Sequence, residues 1–222
     1  MNKVPLVPNE FKAMPSAFSE LYTSESHPNT FVRLSEQEFE GNDGWGYEPL
    51  KPINFETVKE ARELFKELNG KYDIQTVEYH PAIFESTENK LGKGALIASN
   101  FIRGEVFTDG AVEERKVPSY ATEAGKQLVN NLTKYLLDKN ASKEPFLYDI
   151  FRLSQYTFTD GKFVLHDVDP MIVDAKKDPL GVTLEMRFSM LTDMAKQFLP
   201  DEEFRNWLSD ARKVIYAPKK VA

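Results

Sequence analysis

The chain has 222 residues, 25.4 kDa and 41% hydrophobic side chains, enough for one sizeable core or two small lobes sharing a cleft. Its 35 acidic side chains against 28 basic ones give a net charge of −7 and a pI near 5.2, which leaves no electrostatic footprint for nucleic acid, and the acids are too dispersed among lysines to mimic it. No cysteine is present and the three histidines (His27, His80, His166) are scattered, which excludes disulfides, thiolate zinc sites and cysteine nucleophiles and argues against a histidine metal site; with no signal core or membrane-length apolar run, the expectation is a soluble, cytoplasmic protein.

In chain order, residues 1–10 with Pro5 and Pro8 read as an extended arm. Phe18, Leu21, Tyr22 and the run Phe31-Val32-Arg33-Leu34 predict two short strands around a turn at His27-Pro28-Asn29. Gly41 to Pro52, with Trp45 and Tyr47, reads as a loop that matches neither a Walker A nor a dinucleotide fingerprint. Asn54 caps a helix whose apolar positions Val58, Ala61, Leu64, Phe65 and Leu68 recur at helical spacing until Asn69-Gly70, where the helix is expected to end. Ala95 to Glu105 reads as one strand ending at a Gly turn. Glu123 to Lys139, with Leu128, Val129, Leu132, Tyr135 and Leu136, predicts an amphipathic helix.

Tyr156–Thr159 and Lys162–His166 are β-rich runs joined by Asp160-Gly161, which predicts a tight β-hairpin. Asp149 precedes this hairpin, and Asp167 and Asp169 follow it. A hairpin returns its outer ends to one place, and carboxylates meeting there repel unless a cation relieves them, a setting that suits magnesium or manganese. Asp is also common at strand ends and turns without any ligand. After Met171–Asp174 and a polar loop, Leu184–Phe198 and Asp201–Ile215 predict two helices, with Pro200 opening the second and acids in its first turn. Met186, Met190, Leu191, Met194 and Phe198 form a stripe suited to core packing or to an adaptable binding face.

The order of these pieces resembles the protein-kinase-like fold, in which a catalytic-loop Asp, an Asn about five positions on, and a hairpin lead to a metal-binding Asp. Asp149, Ser154 (or Gln155) and Asp167-Val168-Asp169 fall at that spacing, with Leu147-Tyr148-Asp149 where His-Arg-Asp is usual. The likeness implies an α+β, two-lobed protein-kinase-like fold with a reduced C-lobe, divided into residues 1–104 and 105–222. It implies Asp149 as the catalytic residue, and Asp167, Asp169 and Ser154 around a metal. It implies Arg33 at the phosphate-binding lysine position, Glu60 or Glu63 as its ion-pair partner, and a hinge around Asn100 and Ile102 that hydrogen-bonds adenine, so that ATP and Mg²⁺ are the implied cofactors. Tyr79-His80-Pro81-Ala82-Ile83-Phe84 resembles the turn between the kinase helix and its next strand. Ala17-Phe18-Ser19-Glu20-Leu21-Tyr22 is similar to the corresponding piece of early host-takeover kinases of short-tailed phages.

Departures bear on function. No glycine occurs before Gly41, so a Gly-rich phosphate loop is missing, and Arg33 is a planar fork where the family has a point charge. Two readings follow. One is a pseudokinase that binds and modulates or inhibits a host protein; the other is a divergent ATP-dependent phosphotransferase. A protein partner is expected, with no role for nucleic acid or membrane.

Overall fold

The computed structural model describes residues 12–14, 20–35, 50–51, 55–85, 93–100, 102–107, 117–166, 170–178 and 182–216. The proline arm, Ala17-Phe18-Ser19, the body of the glycine-rich loop, Asp167-Val168-Asp169 and the C-terminal tail lie outside those residues.

Strands β1 (Lys12–Met14), β2 (Glu20–Thr23), β3 (Thr30–Ser35), β5 (Tyr79–Glu85) and β6 (Lys93–Asn100) form an antiparallel sheet in the order β1-β2-β3-β6-β5. The turn expected at His27-Pro28-Asn29 joins β2 to β3, closed by the His27 N–H on the Ser24 carbonyl at 3.3 Å and the Thr30 N–H on the His27 carbonyl at 3.0 Å. Tyr79–Phe84 is not a turn but most of β5. It is held in register against β6, with Pro81 opposite Ile97, and the proline is tolerated because β5 is an edge strand.

Helix α1 (Phe55–Tyr72) buries Val58, Ala61, Leu64, Phe65, Leu68 and Tyr72, one stripe at three- and four-residue spacing. It does not end at Asn69-Gly70. It runs on to Tyr72, whose ring is buried edge-on against Tyr135 at 5.1 Å and whose hydroxyl donates to Asp138 at 3.1 Å. The stop falls at Asp73, in the left-handed region at φ 52°, where Gln127 donates to its carboxylate at 2.8 Å and Asn131 to its carbonyl at 3.2 Å. Tertiary contacts thus carry the helix through a residue that locally favours a stop.

Beyond Asn100 the chain changes sheets. The expected single strand Ala95–Glu105 is broken: β6 ends at Asn100, and β7 (Glu105–Val106) joins a second sheet, ordered β4-β10-β9-β7, with β4 (Gln75–Thr76), β9 (Tyr156–Thr159) and β10 (Lys162–Leu165). Gly104 permits the crossing, since a Cβ there would strike the Phe158 carbonyl and the Thr157 methyl. β4 leaves α1 and runs parallel to β10, tying the first helix to the hairpin.

Helices α2 (Thr122–Ser142), α3 (Val182–Phe198) and α4 (Asp201–Ile215) bear out the three helices read from the sequence to within a few residues. α2 meets the end of α3 at Gly125, whose missing side chain leaves room for the Phe198 ring. Leu191, Met194 and Phe198 of the methionine stripe are core, whereas Met186 stays 43% exposed. α4 closes over this pair through Phe204, Trp207 and Leu208, the indole N–H donating to Thr133 Oγ1 at 3.0 Å. One buried cluster runs from Leu50 and α1 through α2 and the hairpin to Ile215.

Candidate functional site

The hairpin turns on two residues with positive φ, Asp160 at 49° and Gly161 at 74°, the geometry that lets a two-residue loop follow the strands' twist. Its register places Leu165 opposite Tyr156 and Phe163 opposite Phe158. Tyr156 is fully buried, and its hydroxyl donates to the Ile150 carbonyl at 2.8 Å, so the base of the hairpin grips the loop that carries Asp149. Burial pushes the Tyr156 phenol well above its ordinary pKa, as it does that of Tyr135, whose hydroxyl accepts the Leu147 N–H at 3.0 Å. Both therefore stay neutral.

Two short strands close the other side. β8 (Phe146–Leu147) and β11 (Ile172–Val173) pair antiparallel, and the Tyr148 N–H donates to the Met171 carbonyl at 3.0 Å. At the hairpin end the His166 N–H donates to the Gln155 carbonyl at 3.0 Å, and Thr157 Oγ1 meets His166 Nδ1 at 3.0 Å. His166 and Met171, on either side of the acidic segment, are thus both bonded to the stretch Tyr148–Gln155. Asp167 and Asp169 themselves lie outside the described residues.

Asp149 is partly exposed, its side chain at 24%. Its Oδ2 accepts from Gln155 Nε2 at 3.0 Å, and its Oδ1 lies 3.8 Å from Arg152 Nε. Ser154 sits half-buried in the same short 3₁₀ turn, Leu153–Gln155. Of the two residues the sequence offered for the family's Asn, Gln155 is the one whose amide meets Asp149. A carboxylate only accepts, so the Gln155 nitrogen faces Asp149 and Oε1 takes the other position on the amide carbon. That oxygen is buried without a hydrogen-bond partner. An unpartnered amide carbonyl is a ligand type that hard divalent cations take, but here it is the Gln155 nitrogen, not this oxygen, that faces Asp149. Among the described residues no group of three His, Cys, Asp or Glu side chains could hold a metal.

The predicted nucleotide-binding residues are placed as follows. Arg33 stands on β3 opposite Leu21 and Ile97. Glu63 is exposed on α1 and bonds Lys66 three positions on at 2.6 Å. Glu60, one turn earlier, faces inward and is held by both oxygens on Lys51 Nζ, at 2.8 and 2.7 Å. Asn100 pairs with Thr30 at the end of β6 and donates through its side chain to Glu78 at 3.2 Å, and Ile102 packs half-buried on the core.

Sequence reasoning missed two neighbours of this site. Lys51 lies in a stretch without periodicity, and only its pairing with β11, where its N–H donates to the Ile172 carbonyl at 2.9 Å, brings it to Glu60. Arg187 is fully buried in α3, its guanidinium carbon 3.4 Å above the Tyr148 ring beside Asp149 and one N–H on Met190 sulfur at 3.0 Å. An arginine inside a Met and Phe stripe was its one visible signal.

No protein-family model and no curated protein matches the chain. Among solved structures it is similar to the Cydia pomonella granulovirus kinase PK-1, at 10% identity and TM-score 0.40 over 71% of this chain, which spans only 53% of the length of that kinase chain. It is similar to WaaP in complex with acyl carrier protein, at 11% identity and TM-score 0.40 over 92% of this chain and 84% of that one. A third is a point mutant of the Mycobacterium tuberculosis PknI kinase domain, at 12% identity and TM-score 0.35 over 95% of this chain and 99% of that one. Likeness of that degree carries no argument about function, which has to rest on the residues.

Proposed function

We propose that the protein is a kinase-like regulatory module, a pseudokinase that acts by binding and modulating a protein partner. The observation that carries this reading is the closure of Asp149 within its own loop, with Gln155 Nε2 at 3.0 Å on one oxygen and Arg152 Nε at 3.8 Å from the other. A general base needs a lone pair directed at an acceptor hydroxyl within about 2.6–3.2 Å. Here one oxygen already accepts from Gln155 and the other lies beside Arg152, so part of the carboxylate's accepting capacity is taken up within its own loop. The helix acids are engaged in the same way, Glu60 by Lys51 and Glu63 by Lys66. A glycine-free N-terminal stretch and Arg33 in place of lysine support the same conclusion.

One observation favours the second reading, an active metal-dependent phosphotransferase: the buried Gln155 Oε1 has no hydrogen-bond partner, and it is a carbonyl oxygen of the kind a hard cation takes as ligand. In this reading Asp167 and Asp169 complete the cation's ligands, and the cation would supply charge neutralisation for a bound nucleotide's phosphates.

The test is a thermal melt with ATP and Mg²⁺ or Mn²⁺, joined to an ATP-turnover assay, on wild type, Asp149→Asn and Asp167→Asn. The pseudokinase reading expects no turnover above the variants' background and folding intact in all three. Nucleotide at 100 times its dissociation constant would add about 2.7 kcal/mol, so retained binding is readable independently of turnover. Turnover abolished by both substitutions with the melt unchanged overturns it.

A further inference from the structure

A second cleft lies away from Asp149, between the C-terminal half of α1 and the start of β5, with a volume of about 710 Å³. Its base is apolar: Phe65 and Tyr79, rings 4.6 Å apart, with Val77 beside them, all nearly buried. Its rim is cationic on the helix side, through Arg62 and Lys66, one turn apart on the exposed face of α1. The counter-charges are specific. Lys66 is satisfied by Glu63 at 2.6 Å, and Glu78 across the cleft holds His80 at 3.1 Å and the Asn100 amide at 3.2 Å. Arg62 makes no hydrogen bond or ion pair among the described residues.

A guanidinium at the rim of an apolar base, without a partner among the described residues, selects for its opposite. We infer that this cleft docks an acidic peptide segment of a partner protein, an aromatic or aliphatic side chain seated over Phe65, Val77 and Tyr79 and a carboxylate on Arg62. A trough with one helical wall and one edge-strand wall suits an extended segment with side-chain anchors. The inference stands apart from the reading of Asp149 and holds whether or not nucleotide binds.

Gly70 supplies the clean test. A Cβ at that position meets nothing within 4 Å, so a side chain there enters open space at the cleft rather than a packed interior. The probe is a fluorescein-labelled heptapeptide with one phenylalanine flanked by glutamates, read by fluorescence anisotropy on the full chain. Wild type should bind it saturably and more weakly at 500 than at 50 mM NaCl, since an exposed charge pair is screened. Arg62→Glu should weaken binding about ten-fold or more, which corresponds to about 1.4 kcal/mol. Gly70→Trp should abolish binding while Gly70→Ala retains it, and thermal melts should report all three variants folded. A peptide with lysines for glutamates should not bind. Equal binding of acidic and basic peptides, wild-type affinity in both Arg62→Glu and Gly70→Trp, or no saturable binding at millimolar peptide each overturns the inference.

Discussion

Replacing Asp178 tests how the helix behind the site is held in place. Asp178 is 7% exposed and lies four residues before α3, yet its Oδ1 accepts the Val182 N–H at 2.9 Å and its Oδ2 accepts those of Thr183 at 3.0 Å and Leu184 at 3.4 Å. These are first-turn N–H groups with no partner inside the helix, and a carboxylate there also complements the helix dipole. Asp178→Ala deletes all three bonds. Thr183 at 0% and Leu184 at 7% exposure leave water little access to the freed donors. A lost helix cap costs about 0.5–2 kcal/mol, and a buried bond to a charged group about 1.5–3 kcal/mol. Since the three bonds share one carboxylate and do not add, the expected loss is about 3 kcal/mol, or a fall of about 6–12 °C in melting temperature at this chain length. Asp178→Asn keeps one acceptor oxygen and should lose about half as much. The consequence reaches the site because Arg187, one turn beyond Leu184, stacks on Tyr148 beside Asp149. Urea titrations followed by circular dichroism at 222 nm, with an unchanged m-value, measure the effect. A loss below about 0.5 kcal/mol for Asp178→Ala would refute the reasoning.

Gly125→Ala gains about 1 kcal/mol of helix propensity but drives a methyl into the Phe198 ring, an overpacking that costs about 1–3 kcal/mol, so the variant should be net destabilised and Phe198→Leu should restore it in the double variant. Thermal melts of the four-member cycle check this. Lys139, 3% exposed, binds Glu67 at 2.6 Å and Glu144 at 3.1 Å, and its ammonium holds the Glu144 carboxyl below the ordinary value of 4.5. A depressed carboxylate contributes stability that is present above its unfolded value and lost as pH falls through the folded one. Lys139→Met should therefore flatten the fall in stability below about pH 4.5 while lowering stability at neutral pH, as melts from pH 7 to 3 would show; an unchanged acid limb would exclude Lys139 as the cause.

The sequence by itself determined the elements whose information is local. α2 and α3 each carry a buried stripe at helical spacing, which needs no knowledge of its partner to be read, and α4 is announced by Pro200 and the acids of its first turn. The hairpin was legible because Asp160-Gly161 tolerates the positive φ that a two-residue turn demands. That turn by itself accounts for the return of Leu165 to Tyr156; the convergence of Asp149 with Asp167 that the sequence suggested involves a residue outside the described ones. What only the tertiary structure decided is what happens between elements distant in sequence. β8 and β11 are two residues each, too short for any period, and exist because they pair with each other. Lys51 reaches Glu60 only through β11, and α1 passes Gly70 because Tyr72 finds Tyr135 and Asp138. The Gln155 amide facing Asp149 is of the same kind: the hairpin, the Tyr156 hydroxyl and the buried turn fix its direction together, and no one of those constraints is written next to it in the chain.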